Sequence, residues 1–208
     1  MTDDQLRIEQ TVAAWGRIEQ WLARHAPRSH RRLPAPATEQ ELLATERAFG
    51  LRLPPDLRAF YLLHNGTGPA DDFEWQTRRP DPAEPWDPET DPSGYLLPNG
   101  GIGPLAKLAQ WVGGPASHGD EDEPGRRHLA FAGSDPDGLY GLFADCTPGP
   151  GYGRVGCHAE AEAPEPDRWP SLAAYLAAVA DALEAGRAFT DTGWAPAVRY
   201  QCLDWDLA

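Results

Sequence analysis

Apolar residues recur with helical spacing at both ends of the chain, and this arrangement constrains the fold more than any other feature of the sequence. Near the start, Trp15, Ile18 and Leu22 follow one another at helical intervals, with charged residues between them. Such spacing is typical of a helix with one buried face, so we predict a helix over about residues 4–25. A second pattern predicts a closing helix that ends at Gly186. Its apolar positions are Leu172, Tyr175, Leu176, Val179 and Leu183.

Two shorter helices are predicted from their start and stop signals. Thr38 stands three residues before Glu41, which is the capping-box pattern that opens a helix, and Gly50 supplies a left-handed end. The proline pair at 54–55 begins the next helix, because proline is tolerated in a first turn. The Asn-Gly pair at 65–66 is the predicted end of that helix.

The middle of the chain predicts strands. Residues 128–133 and 139–144 are short apolar segments joined by Ser-Asp-Pro-Asp-Gly at 134–138, whose composition favours a tight turn, so we predict a hairpin. Residues 153–159 supply a further antiparallel strand, and a short helix is predicted after Pro104. Helices on either side of antiparallel strands predict an α+β fold, with a mostly antiparallel sheet and helices packed around it.

The length of 208 residues fits one domain better than two. Near the C-terminus, Val198, Tyr200 and Cys202 alternate with polar residues, which predicts one edge strand or an ordered extension. The predicted boundaries are 1–188 for a single domain, 67–94 and 113–125 for two acidic loops within it, and 189–208 for a C-terminal extension.

The formal net charge of −14 restricts the partners of the chain. Such a charge repels phosphate backbones and anionic membranes, and it attracts basic partners over a Debye length of about 10 Å. We therefore expect no binding to nucleic acid or to membranes. Residues 1–32 carry six Arg against four acids, so the remainder carries a net charge of about −16. The acidity belongs to the body of the fold.

Three features predict a cytoplasmic protein. The first residues are polar and acidic, whereas a secretory leader is basic and then apolar. The longest apolar segment, at 172–179, is too short to span a bilayer. Three cysteines are too few, and odd in number, for a disulfide framework, as is typical of a reducing compartment.

The residue groups that could perform chemistry lack the context that they need. Residues 151–156 match the GxGxxG pattern, but prolines follow instead of a helix, so a glycine-rich turn is favoured over a dinucleotide site. Cys157 stands beside His158 without the paired spacing of a metal site or the third group of a nucleophilic triad. The two aspartates of the 134–138 segment have the spacing that a turn requires. We expect a protein that is not an enzyme, with no cofactor and no metal.

Four segments carry a specific combination of residues. The clearest is Leu-Pro-Pro-Asp-Leu-Arg-Ala-Phe-Tyr at 53–61, followed by His-Asn-Gly at 64–66. The others are Trp-Gly-Arg-Ile-Glu-Gln-Trp-Leu at 15–22, the Leu-Pro to Glu-Leu segment at 33–42, and the Pro- and Gly-rich segment at 145–156. Together they resemble the SMI1/KNR4 family, also called the SUKH superfamily, in its first helices and in its strand, turn and strand segment.

This resemblance covers about residues 12–188 and implies protein recognition without catalysis. Bacterial members of the family are commonly immunity proteins that neutralise polymorphic toxins, which are often basic nucleases. The resemblance therefore implies an immunity protein that binds a basic toxin domain stoichiometrically. The alternative is an intracellular regulatory or scaffold protein of the same family, which binds host proteins.

The acidic loops with embedded tryptophans are the candidate partner-binding surface. Tryptophan is a frequent interface anchor, and surrounding acids steer a basic partner. A solvating loop whose tryptophans pack back onto the domain is equally open. The candidate contact residues are Asp72, Glu74, Trp75, Trp86, Asp87, Asp120, Glu121, Asp122 and Glu123.

Overall fold

The computed structural model describes residues 2–68, 96–98, 100–111, 127–133, 139–160, 162, 164–189 and 192–207. Helices and antiparallel strands build an α+β fold, which confirms the predicted class. The helices are α1 (Asp3–His25), α2 (Pro27–Arg31), α3 (Glu39–Phe49), α4 (Pro55–Tyr61), α5 (Leu105–Trp111) and α6 (Leu172–Ala185). The strands are β1 (Gly101–Ile102), β2 (His128–Gly133), β3 (Gly141–Asp145), β4 (Val155–His158), β5 (Glu165–Trp169), β6 (Trp194–Arg199) and β7 (Cys202–Leu207).

Strands β1 to β5 form a sheet in chain order, and each pairs antiparallel with the next. The predicted hairpin is confirmed as β2 and β3, and the predicted third strand is confirmed as β4. The two edge strands, β1 and β5, were not predicted. β1 has only two residues, which is too short to show a pattern. The sequence of β5, Glu-Pro-Asp-Arg-Trp, has no apolar alternation, and four of its five residues are exposed.

Helix α1 packs against α6 and α4 and supplies a large part of the core. Its Trp15, Ile18 and Leu22 are fully buried, as their spacing predicts. The Trp15 ring meets Phe60 of α4 edge to face, with ring centroids 4.9 Å apart. Burial of this kind is the main favourable term in folding, so the apolar stripe of α1 stabilises the whole helical layer.

Several predicted helix ends are confirmed in detail. Thr38 and Glu41 form both hydrogen bonds of a capping box, and Gly50 ends α3 in the left-handed region with φ of 62°. Gly186 ends α6 in the same way, with φ of 58°. The predicted end of α4 at 65–66 is wrong, because the helix stops at Tyr61.

Gly66 serves a different purpose from the one predicted. Its φ is 97°, and a Cβ at this position would lie 2.8 Å from the carbonyl oxygen of Ile102. The glycine therefore allows the chain after α4 to approach β1 closely. Next to it, the Thr67 N–H donates to the Ile102 carbonyl at 2.9 Å, and the Thr67 hydroxyl accepts from the Ile102 N–H at 2.9 Å.

The C-terminal residues form a hairpin of β6 and β7. Of the two predicted alternatives, the single edge strand through Val198, Tyr200 and Cys202 is wrong, because Tyr200 and Gln201 are the turn and both have positive φ, whereas the ordered extension agrees with the hairpin. The hairpin packs on α2, where the Leu203 N–H donates to the Ser29 hydroxyl at 3.0 Å.

Asp56 is a fully buried carboxylate between α4 and α6. One oxygen accepts from the Leu172 N–H at 2.8 Å, and the other accepts from the Leu57 N–H at 3.1 Å. Burial raises the pKa of Asp56, and the nearby charge of Arg7 opposes this effect. The side chain of this aspartate, in the Leu-Pro-Pro-Asp motif, therefore joins α4 to the first backbone N–H of α6.

Candidate functional site

The candidate contact residues named from the sequence lie outside the described residues. They belong to the segments 69–95 and 112–126, and the aspartates of the 134–138 segment lie outside as well. The residues concerned are Asp72, Glu74, Trp75, Trp86, Asp87, Asp120, Glu121, Asp122 and Glu123, together with Asp135 and Asp137.

The negative charge of the chain is concentrated in these same segments. The described residues contain 15 Lys and Arg against 17 Asp and Glu, so they carry a net charge of −2. The whole chain carries −14, so −12 belongs to the remaining residues. The described scaffold is therefore close to neutral.

The described residues that flank two of the acidic segments lie at one end of the sheet. Gly101, Gly133, Gly141 and His158 form a row across β1, β2, β3 and β4 by strand pairing. Segment 134–138 continues from Gly133, and the turn from Leu97 to Gly100, which follows segment 69–95, leads directly into Gly101. We call this row the glycine end of the sheet.

Close packing explains a glycine in this row. A Cβ on Gly141 would overlap the carbonyl oxygen of Ala132 and would lie 2.9 Å from the Cα of Gly133. Strands β2 and β3 therefore lie close together where Gly133 pairs with Gly141.

A groove of about 830 Å³ lies at the opposite end of the sheet, between helices α3 and α4 and the turn that joins β3 to β4. Its floor includes the buried Leu53 and Cys146. Burial raises the pKa of the Cys146 thiol to about 12, so the thiol is neutral at pH 7. The other lining residues are Asp4, Leu43, Glu46, Gly50, Leu51, Arg52, Pro55, Arg58, Arg127, Pro148, Gly149 and Tyr152.

The groove wall on the helical side is held by an ion-pair network. Arg58 of α4 contacts the carboxylates of Glu39 and Glu46, which both belong to α3. Glu46 also accepts a hydrogen bond from the Leu53 N–H at 3.1 Å. The Arg58 charge is therefore matched within the wall, and the segment between α3 and α4 is tied to α3.

The wall on the strand side is tied to the same segment. The Arg127 guanidinium donates to the Gly50 carbonyl, at the end of α3. The Tyr152 hydroxyl donates to the Leu53 carbonyl at 2.9 Å. Partial burial raises the pKa of Tyr152 to about 12, so its hydroxyl keeps the proton that it donates. Both walls of the groove are therefore hydrogen-bonded to the segment from Gly50 to Leu53.

Sequence reasoning did not identify this groove. Its lining comes from the N-terminus, from 43–58, from Arg127 and from 146–152, and no short motif connects these parts. Two of these parts do belong to segments that stand out in the sequence, 53–61 and 145–156, and Gly50 marks the helix end around which the groove is built. The distances in sequence make the groove a product of tertiary packing.

The glycine-rich segment and the candidate metal ligands named from the sequence do not form a nucleotide or metal site within the described residues. The glycine-rich segment 151–156 leads into β4, a strand, so it does not present a helix N-terminus to a pyrophosphate. Gly153 lies against the Arg7 side chain, which donates to the Tyr152 carbonyl at 3.1 Å. No group of three or more His, Cys, Asp or Glu suited to a metal occurs within the described residues.

Comparison with known proteins places this architecture in one family. A model of the SMI1 / KNR4 family (SUKH-1) matches residues 36–178, which span α3 to the first half of α6 and include the whole five-stranded sheet. A search of curated proteins gives no significant match. Within the described part of the chain, no helix is long and apolar enough to cross a membrane. Because the match covers more than half of the sequence, this chain belongs to the SMI1/KNR4 family (SUKH-1).

Proposed function

We propose that this chain is a cytoplasmic immunity protein that neutralises a basic toxin domain by stoichiometric binding, without catalysis of its own. Family membership is the observation that carries the proposal, because members of the family are generally protein-binding immunity proteins. The net charge of −14 supports a basic partner.

The distribution of the charge supports the acidic segments as the contact surface. A nearly neutral scaffold contributes little long-range field, so the field of the molecule originates mainly in segments 69–95 and 112–126. Complementary charge of this kind accelerates association and selects against acidic partners. Trp75 and Trp86 would anchor the contact, and the surrounding acids would steer the partner.

The first experiment is affinity capture with the full-length chain from the secreted proteins and the lysate of the source organism, at low and at moderate salt. We expect one basic toxin domain at near-stoichiometric yield. If only cytosolic proteins of the host are captured, the regulatory or scaffold alternative replaces the immunity proposal.

A charge-reversal pair then tests the contact surface. Glu74→Lys and Glu9→Lys change the net charge equally, but Glu9 lies on an exposed position of α1. We expect Glu74→Lys to weaken binding of the captured toxin and to reduce its salt dependence, and Glu9→Lys to have the smaller effect. Equal effects of the two variants would show that only the net charge matters and would remove segment 69–95 from the interface.

A further inference from the structure

We propose that the groove at the end of the sheet opposite the glycine end is a second binding site, which accepts an extended peptide segment of a partner protein that carries a carboxylate next to an apolar side chain. The site is separate from the acidic segments, and it does not depend on the partner being a toxin.

The shape and the apolar parts of the groove suit an extended segment. A volume of about 830 Å³ is in the range of small-molecule and peptide sites. Leu43 is 48% exposed at the groove, although the neighbouring Leu42 is fully buried. Together with Pro148 and Gly149 on the other wall, it offers apolar surface to a side chain of the ligand.

The charges of the groove select a carboxylate. The lining contains three arginines and two acids, so its formal charge is +1 in a chain of net −14. The Arg58 charge is matched by Glu39 and Glu46. Among the residues that the structure describes, no carboxylate forms an ion pair with Arg52 or Arg127.

Both arginines line the groove. The Arg127 guanidinium bonds to the Gly50 carbonyl, and Arg52 follows Gly50 by two residues. Arginine presents a planar fork of donors that fits a carboxylate, and a charge-assisted hydrogen bond is about twice as strong as a neutral one. Cys146 and Tyr152 are neutral, so the acids of the lining are Asp4 and Glu46, of which Glu46 pairs with Arg58.

The site is also held in place before a ligand arrives. Residues 50–53 are fixed by the left-handed end of α3, by the Leu53 N–H bond to Glu46 and by the Tyr152 hydroxyl bond to the Leu53 carbonyl. A ligand would therefore not have to order this segment, and the entropic cost of binding would be smaller.

The test uses the ¹⁵N-labelled full-length chain and the peptide acetyl-Leu-Asp-Leu-Glu-amide as probe, followed by amide chemical shifts. The matched probe is acetyl-Leu-Asn-Leu-Gln-amide, which has the same shape without charge. We expect the acidic peptide to shift the amides of Leu43, Gly50, Arg52 and Tyr152 in a saturable way, and the neutral peptide to bind about tenfold more weakly.

Variants at two exposed arginines complete the test. Arg52→Glu reverses a positive charge of the groove, and Arg187→Glu makes the same change after α6, outside the groove. We expect Arg52→Glu to weaken the acidic peptide about tenfold or more and Arg187→Glu to leave it nearly unchanged. Equal binding of the two peptides, equal effects of the two variants, or inorganic phosphate binding as tightly as the acidic peptide would each overturn the proposal.

Discussion

At the scale of single residues, Asp56 gives the Leu-Pro-Pro-Asp motif a structural role. It is a carboxylate with no exposed surface that holds the first backbone N–H of α6 as well as the N–H of Leu57. The bond from the Leu172 N–H joins α4 to α6, and the bond from the Leu57 N–H lies within the first turn of α4. Removal of the carboxylate leaves two N–H donors without this acceptor.

We expect Asp56→Ala to lower the free energy of unfolding by about 1–3 kcal/mol at neutral pH, measured by urea denaturation. Asp181→Ala is the matched control, because Asp181 is an exposed aspartate of α6 whose pair with Arg17 lies at the surface. That control should cost no more than about 1 kcal/mol. Equal losses in the two variants would show that the buried carboxylate has no special role.

The pH dependence of the Asp56→Ala effect has a defined sign. Burial raises the folded-state pKa of Asp56 above its ordinary value of 3.8, so the folded state binds this proton more tightly than the unfolded state. The contribution of Asp56 to stability is therefore fullest below pH 3.8, and it falls as the pH rises through the folded-state pKa. The difference between wild type and Asp56→Ala should narrow over that interval, and a widening difference would contradict the raised pKa.

At the scale of secondary-structure elements, three glycines differ in why glycine stands there: backbone conformation, lack of room for a side chain, or neither. Gly50 ends α3 with φ of 62°, and a Cβ built on it would have nothing within 4 Å, so only its conformation requires glycine. Gly141 has an ordinary φ but no room for a Cβ between β2 and β3. Gly16 lies within α1 with nothing within 4 Å of a built Cβ, so neither reason applies to it.

Alanine at these three positions should therefore give three different outcomes in thermal and urea unfolding. Gly16→Ala should stabilise the protein by about 0.5–1 kcal/mol, because alanine has less chain entropy to lose in a helix. Gly50→Ala should cost about 1–2 kcal/mol through the left-handed conformation. Gly141→Ala should cost about 1–3 kcal/mol or more through the backbone clash. A Gly141→Ala variant as stable as wild type would show that β2 and β3 can separate without cost.

At the scale of the whole molecule, the C-terminal hairpin contributes to the core of the protein. Trp205 is 1% exposed and belongs to the same buried cluster as Trp15 and Tyr175. Its ring lies 6.4 Å from that of Phe189, which in turn contacts Tyr175 of α6. The family match ends at residue 178, so this part of the core is built by residues beyond the matched region.

We expect Trp205→Ala to destabilise the whole fold by about 3–5 kcal/mol, with unfolding still in one cooperative transition but at a lower temperature. Val198→Ala on the same hairpin is the control, since Val198 is 46% exposed, and it should change stability by about 0.5 kcal/mol or less. If Trp205→Ala unfolded only the hairpin and left the unfolding of α1 and α6 unchanged, the hairpin would be an appendage of the domain.

The sequence by itself determined the parts of this protein that depend on neighbouring residues. Thr38 and Glu41 are three residues apart, Gly50 and Gly186 follow their helices directly, and β2 and β3 are joined by a short turn-forming segment. Spacing and cap chemistry act over a few residues, so they can be read from the sequence alone. The resemblance to the family was recognised from such local segments and was confirmed by the match over 36–178.

Only the tertiary structure decided which distant residues meet. Asp56 reaches Leu172 across 116 positions, and the groove joins α3 to Arg127 and Tyr152. The edge strands β1 and β5 exist because neighbouring strands supply their partners, and their own sequences carry no period that predicts them. Such contacts depend on the packing of the whole core, in which each pair is fixed by many others, and no local pattern encodes them.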